Sequence, residues 1–177
     1  GNALLKNTGV DIGKSICDDG YKDLVEEILT KSKTHDCQIH YPLDVVVSKT
    51  INGNGIIKEI NEINNDEMIL DIGPKTITSI RNIIDRSNTV LWNGPAGYFE
   101  NPNFANGTKK ILEIIANKRT KNKIYAVAGG GETVAVINKF KKLDSFNFVS
   151  TAGGAFLEFL EGKELPGIKA LKYHVRT

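Results

Sequence analysis

The chain has 177 residues, room for one domain with a sizeable buried core. Lys and Arg number 23 against 21 Asp and Glu, a formal charge of +2, too balanced to mark nucleic acid or an anionic membrane surface as the main partner. No apolar run approaches the roughly 20 residues that span a bilayer and no signal peptide is visible, so a cytoplasmic protein with no membrane partner is expected.

Residues 3–6 read as the end of a helix, and 7–15 as a connection. That connection imitates a phosphate-binding P-loop. Gly9 and Gly13-Lys14-Ser15 have the right composition, but only Val10, Asp11 and Ile12 lie between the glycines where four residues are needed, and no strand precedes them. Lys14 is assigned no chemistry. Residues 21–33 place Leu24, Val25, Ile28 and Leu29 on one stripe, the pattern of a surface helix packed on a sheet. A β-branched strand follows over 39–48, with Pro42 at its entry. Residues 50–65 mix Gly and Asn with short apolar pairs and predict an exposed hairpin or excursion.

Strand-like and helix-like segments then alternate: a strand over 68–74, a helix over 75–86 with Ile77, Ile80, Ile83 and Ile84 on one face, and a strand over 89–92. A helix over 104–116 follows, striped by Phe104, Thr108, Ile111, Leu112 and Ile115. After a strand at 124–128 and a helix to Lys139 come a last strand over 146–150 and a short helix over 155–160. A turn-rich exit runs over 161–168. This alternation predicts a doubly wound parallel α/β sheet, three-layered and Rossmann-like. Cys17 and Cys37 lack metal-ligand spacing and read as free thiols. His35, His40 and His174 are scattered and read as surface or packing residues. Trp92 reads as a core aromatic.

The stretch with the most chemistry is 123–137. Ile124 to Ala128 is a short apolar run of the kind buried on both faces of a parallel sheet. Gly129, Gly130 and Gly131 permit positive φ and leave no Cβ between backbone and ligand. The N–H groups near Gly131 to Thr133 would then open a helix, where an anion is favoured. Glu132 beside that anion makes sense if a hard cation such as magnesium lies between them. The alternative is a tight strand-to-helix turn with an acidic first residue. Two further strands also end in glycine-containing loops, Asn93-Gly-Pro-Ala-Gly97 and Thr151-Ala-Gly-Gly154, and in open parallel sheets ligands bind at the carboxyl ends of strands. A dinucleotide-binding fingerprint fits poorly, since Gly129 and Gly131 match but position 134 is Val.

Collinear blocks along the chain resemble phosphoglycerate kinase, specifically its C-terminal, nucleotide-binding lobe. They are Ile12-Gly-Lys-Ser15, Pro42-Leu-Asp-Val-Val-Val47, Asp71-Ile-Gly-Pro74 with Thr76, Leu91-Trp-Asn-Gly-Pro-Ala-Gly-Tyr-Phe-Glu100, Phe104 with Gly107-Thr108, Gly129-Gly-Gly-Glu-Thr133, Ser150-Thr-Ala-Gly-Gly-Ala155 and Leu157-Glu-Phe-Leu-Glu-Gly-Lys-Glu-Leu-Pro166. The resemblance implies reversible phosphoryl transfer between 1,3-bisphosphoglycerate and ADP, giving 3-phosphoglycerate and MgATP in glycolysis, by a two-lobed monomeric enzyme. By the same likeness Glu100 would hold the ribose hydroxyls, with Asn93 and Pro95 helping to form the nucleotide site. Gly130, Gly131, Glu132 and Thr133 would take the phosphates and the metal, Glu132 as magnesium ligand. Gly153 and Gly154 would aim backbone N–H groups at the phosphoryl group in flight.

Two residues depart from the family pattern: Glu132 stands where Asp is usual, and Ala152 where Gly is frequent. The family's N-terminal substrate lobe and the upstream glycine-lysine segment have no counterpart, and the chain starts at Gly1 without Met. The expectation is therefore a single nucleotide-binding domain over 1–177, truncated at its N-terminal side. By itself it should bind nucleotide without turnover. A non-catalytic nucleotide-binding module is the other reading.

Overall fold

The computed structural model describes residues 1–121 and 123–174. In chain order the elements are α1 (Asn2–Asn7), α2 (Tyr21–Thr34), β1 (Asp44–Ser48), β2 (Ile56–Glu59), β3 (Met68–Ile72), α3 (Pro74–Arg86) and β4 (Thr89–Trp92). They continue with α4 (Asn106–Thr120), β5 (Tyr125–Ala128), α5 (Gly131–Lys139), β6 (Phe148–Val149), α6 (Gly154–Leu160) and α7 (Pro166–His174). The chain divides into two compact units. One is Gly1–Ile83 with Ala96–Ile111; the other is Ile84–Pro95 with the described residues from Leu112 onward.

In the first unit β1 is the central strand of an antiparallel sheet ordered β2-β1-β3. Within 50–65, where a hairpin or excursion was expected, the chain forms the single strand β2, which pairs back on β1, and the expected parallel pairing does not extend to β1 or β3. For β1 and β2 the reason is length: the connection 49–55 is too short for a crossover, which needs about a dozen residues or more. Val45, Val47 and Ile63 form the buried cluster, with Val10, Ile60 and Ile69 packed against it.

Asp44, almost wholly buried, organises the junction between β1 and α3. Its carboxylate accepts from the backbone N–H groups of Lys75 (2.9 Å) and Thr76 (2.8 Å), so it caps α3 from a distant strand. The Thr76 hydroxyl lies 2.8 Å from both the backbone oxygen and the carboxylate of Asp44. A Cβ on Gly73 would run into that carboxyl group, which explains the glycine there. Helix α2 packs on α1, and Lys6 sits over the Tyr21 ring at 5.3 Å. Val25 is buried, whereas Leu24 and Ile28 of the expected stripe are exposed. The connection carrying Gly9 and Gly13 is a turn with no strand before it.

In the second unit β4, β5 and β6 form a parallel sheet in that order. Ala126 and Ala128 are wholly buried, but Tyr125 is 53% exposed, as is Phe148, and Leu91 is 48% exposed. The face bearing Ala126 and Ala128 is fully covered, and the face bearing Tyr125, Leu91 and Phe148 in part, by Phe156 of α6, whose ring centroid lies 6.4 Å from that of Phe148. The strands progress in one direction, and right-handed crossovers then bring both connecting helices to the same face. Trp92 is buried and stacks on Phe146 with ring centroids 6.0 Å apart, in keeping with its reading as a core aromatic. Buried Lys118 donates through Nζ to the backbone oxygens of Ile84 and Ser87 (3.0 Å), a cation at the C-terminal end of α3.

Most expected helices are present. The stripe expected over 104–116 is fully buried, but Phe104 closes a short 3-10 turn, Pro102–Phe104, and α4 begins only at Asn106. Helix α7 was not foreseen; it starts at Pro166, in the first helical position that proline favours. Cys17 and Cys37 are free thiols. His35 and His40 are exposed, as a surface reading requires, and the side chain of His174 lies outside the described residues.

Candidate functional site

The parallel register sets Trp92 beside Ala128, and Ala128 beside Val149. The chain therefore leaves all three strands along one rim, at Asn93, Gly129 and Ser150. The three glycine-containing loops singled out in the sequence emerge side by side. A shared edge follows from the parallel sheet that the alternation predicts; that the three loops are neighbours along it follows from the hydrogen-bonded pairing.

At the middle loop, Gly129 donates its N–H to the Trp92 oxygen at 3.1 Å, extending the ladder by one residue. A Cβ there would enter the Phe156 ring. Gly130 has φ +94° and serves as N-cap of α5. A side chain at Gly130 would be strained and would meet Asn93 Oδ1 at 2.6 Å, so Asn93 lies directly against the turn. No side chain caps α5, leaving its first N–H groups available to an anion. A Cβ on Gly131 would meet nothing within 4 Å, so the approach to that helix end is open.

Thr133 is wholly buried, and its Oγ1 accepts from the Gly94 N–H at 2.6 Å. The hydroxyl ties the loop after β4 to the first turn of α5. Gly94 itself has φ +110°, a conformation that L side chains rarely adopt. In the third loop, Ser150 donates its N–H to Ala128 at 2.8 Å and its hydroxyl accepts from the Ala152 N–H at 3.3 Å. Gly153 has φ +56° and precedes α6, which also lacks a side-chain cap. Apart from the adjoining chain, a Cβ on Gly153 or Gly154 would meet nothing within 4 Å.

Eight of the nine residues expected to form the site, namely Asn93, Pro95, Gly130, Gly131, Glu132, Thr133, Gly153 and Gly154, belong to the second unit, and Glu100 to the first. Glu132 is exposed in the first turn of α5. Among the described residues no group of three or more His, Cys, Asp or Glu side chains could hold a metal ion. The donor set still suits magnesium bound with a nucleotide, because that ion is commonly held by one or two carboxylates together with substrate phosphates and water.

In the first unit, the loop bearing Glu100 is held from several sides. Tyr98 donates to Leu70 of β3 at 2.8 Å. The amide groups of Asn101 and Asn103 donate to the Ile51 and Gly53 oxygens at 2.8 and 3.1 Å. Thr108 Oγ1 accepts from the N–H groups of Ala96 (3.0 Å) and Gly97 (3.3 Å). Phe99 and Phe104 are buried on either side of exposed Glu100. The hydroxyls of Thr108 and Thr133 were overlooked as loop anchors. Their signal was available, since each is a hydroxyl residue inside an otherwise apolar helical stripe, and a buried hydroxyl needs a partner.

A family model described as phosphoglycerate kinase matches residues 1–163. The chain belongs to the phosphoglycerate kinase family. It is 44% identical over 173 residues to a phosphoglycerate kinase of Zymomonas mobilis, an alignment covering 97% of this chain and 44% of that protein. It is 46% identical to one of Francisella tularensis subsp. novicida, covering 97% and 43%. Among solved structures, that of phosphoglycerate kinase from Coxiella burnetii superposes with a TM-score of 0.87 at 38% identity, over 95% of this chain and 43% of that one. The Pyrococcus horikoshii OT3 phosphoglycerate kinase gives 0.72 at 28% identity, over 97% and 42%. The chain thus spans less than half the length of these relatives. The mixed α/β class and the parallel sheet agree with those phosphoglycerate kinase structures, and the family is one of kinases.

Proposed function

We propose that this chain is the nucleotide-binding part of a phosphoglycerate kinase, which transfers a phosphoryl group reversibly between 1,3-bisphosphoglycerate and ADP to give 3-phosphoglycerate and ATP in glycolysis. The observation that carries the reading is the common rim: three loops rich in glycine leave β4, β5 and β6 side by side. Phosphoryl transfer needs little covalent chemistry from the protein, and catalysis rests on positioning and on neutralising charge. With no side chain capping α5, the backbone N–H groups of Gly130 to Thr133 suit the nucleotide phosphates. Glu132 suits the magnesium that accompanies them, and that ion would supply charge neutralisation at the phosphates. Asn93 and Pro95 line the nucleotide site, and Glu100 accepts from the ribose hydroxyls. Gly153 and Gly154 present N–H groups to the phosphoryl group as it moves.

The phosphoglycerate is held by a part of the parent protein outside this chain, and the working enzyme is a cytoplasmic monomer. Among the described residues no helix is long and apolar enough to cross a membrane. The 177-residue chain by itself binds MgADP weakly and makes no ATP. Calorimetric titration with MgADP, beside Glu132→Ala, tests this. Saturable binding that weakens about tenfold in the variant is expected, from loss of one charge-assisted contact. Equal binding by both proteins removes Glu132 from the metal site, and ATP formation from 1,3-bisphosphoglycerate by the chain alone overturns the division of labour.

A further inference from the structure

Asp71 is only 1% exposed, and its carboxylate has no role in the reading above. It lies at the end of β3 and accepts from backbone: Oδ2 from the Gly107 N–H at 2.7 Å and Oδ1 from its neighbour Ile72 at 2.9 Å, with the Asn106 N–H also facing it. A Cβ on Gly97 would meet Oδ1 at 2.5 Å and the Phe104 oxygen at 2.6 Å. A Cβ on Gly107 would also collide with the carboxyl group. Gly97 and Gly107 are therefore glycines for the same reason, the space taken by Asp71. They are also the two ends of the segment that carries Glu100, so a single buried carboxylate fixes where this segment leaves and rejoins the fold.

We infer that Asp71 is a positioning residue for nucleotide recognition: by pinning Gly97 and Gly107 it holds the Glu100 carboxylate where the ribose hydroxyls of a nucleoside diphosphate are read. The inference rests on the assignment of Glu100 to the ribose. A carboxylate is the appropriate group for the task, because both its oxygens accept and neither donates. Asn in its place turns an NH₂ toward an N–H donor, and the segment shifts. Glu100 is long and exposed, so a small shift of its backbone changes which hydroxyl it reaches.

The test is calorimetric binding of MgADP and of its 2′-deoxy and 3′-deoxy analogues to the chain and to its Glu100→Gln, Asp71→Asn and Gly97→Ala variants, with near-UV circular dichroism recorded on each. The unaltered chain should prefer ADP over at least one deoxy analogue by about tenfold, the value of one hydrogen bond to a charged group. Glu100→Gln should abolish that preference. Asp71→Asn should reduce it to about twofold or less while binding of the deoxy analogue stays within about twofold of the unaltered chain. General destabilisation would weaken all three ligands together and leave the ratio intact. Should Asp71→Asn fail to fold, Gly97→Ala, which keeps the carboxylate but displaces the segment's end, must show the same loss of preference. A full tenfold preference in the folded Asp71 or Gly97 variant, with Glu100→Gln behaving as expected, overturns the positioning role alone. Absence of any preference in the unaltered chain, or its survival in Glu100→Gln, overturns the ribose assignment and this inference with it.

Discussion

Replacing Thr133 by valine removes one oxygen and tests the rim directly. The side chain is wholly buried, and its Oγ1 accepts from the Gly94 N–H at 2.6 Å. Valine keeps the branched shape, so packing around Val136 and Ile137 changes little. The Gly94 N–H, half-buried, loses its acceptor; an unpaired buried donor costs about 1–3 kcal/mol, and partial access to water puts this case near about 1–2 kcal/mol. For a chain of this length that corresponds to a fall in Tm of roughly 3–6 °C. Thr133→Ser keeps the oxygen and should recover most of the loss. Freed from its anchor, the loop after β4 would hold Asn93 less firmly against Gly130, and MgADP affinity should drop by about three- to tenfold. Thermal unfolding followed by circular dichroism and calorimetry on the same samples provide both readings. A Tm within about 1 °C of the unaltered chain, with unchanged affinity, would refute the claim that this hydroxyl holds the rim together.

Two further outcomes follow from the buried carboxylates of the first unit. Asp44→Ala removes both acceptors that cap α3 and should cost about 3–6 kcal/mol, measured as a lower midpoint in urea, because each hydrogen bond to a charged group contributes about 1.5–3 kcal/mol. Asp71 behaves differently with pH. Burial outweighs the N–H groups of Gly107, Ile72 and Asn106 and raises its carboxyl from 3.8 to about 6. A carboxyl whose pKa is raised on folding contributes stability that is fully present below 3.8 and is lost as pH rises through about 6. Lowering the pH from about 7.5 to about 5 should therefore favour the unaltered chain over Asp71→Asn by roughly 1 kcal/mol. The opposite sign, read from urea midpoints at the two pH values, would mean that the ionised form is the favoured one in the fold.

Local pattern was enough to locate most helices and the strands β1, β3, β4 and β5, because apolar periodicity and glycine punctuation act within a few residues. The stripe Phe104, Thr108, Ile111, Leu112 and Ile115 is a good example: each position is buried as its spacing required. The collinear motif blocks carried the family for the same reason, being strings of neighbours. Strand direction was not legible, and β1 pairs antiparallel on both sides where alternation suggested otherwise. Pairing partners depend on which segments meet in space, and the length of a connection limits that choice without making it.

The site divides along the same line. The sequence by itself determined the glycine turns, the acidic residue at the start of α5 and the family to which the chain belongs, since all of these reside in short contiguous stretches. Only the tertiary structure decided that the three turns are neighbours along their rim, that Thr133 reaches Gly94, that Asp44 caps a helix 31 residues further on, and that Asp71 occupies the space that makes Gly97 and Gly107 necessary. Each of these is a hydrogen bond or a steric exclusion between residues far apart along the chain, and such contacts come into existence only when folding buries the groups together.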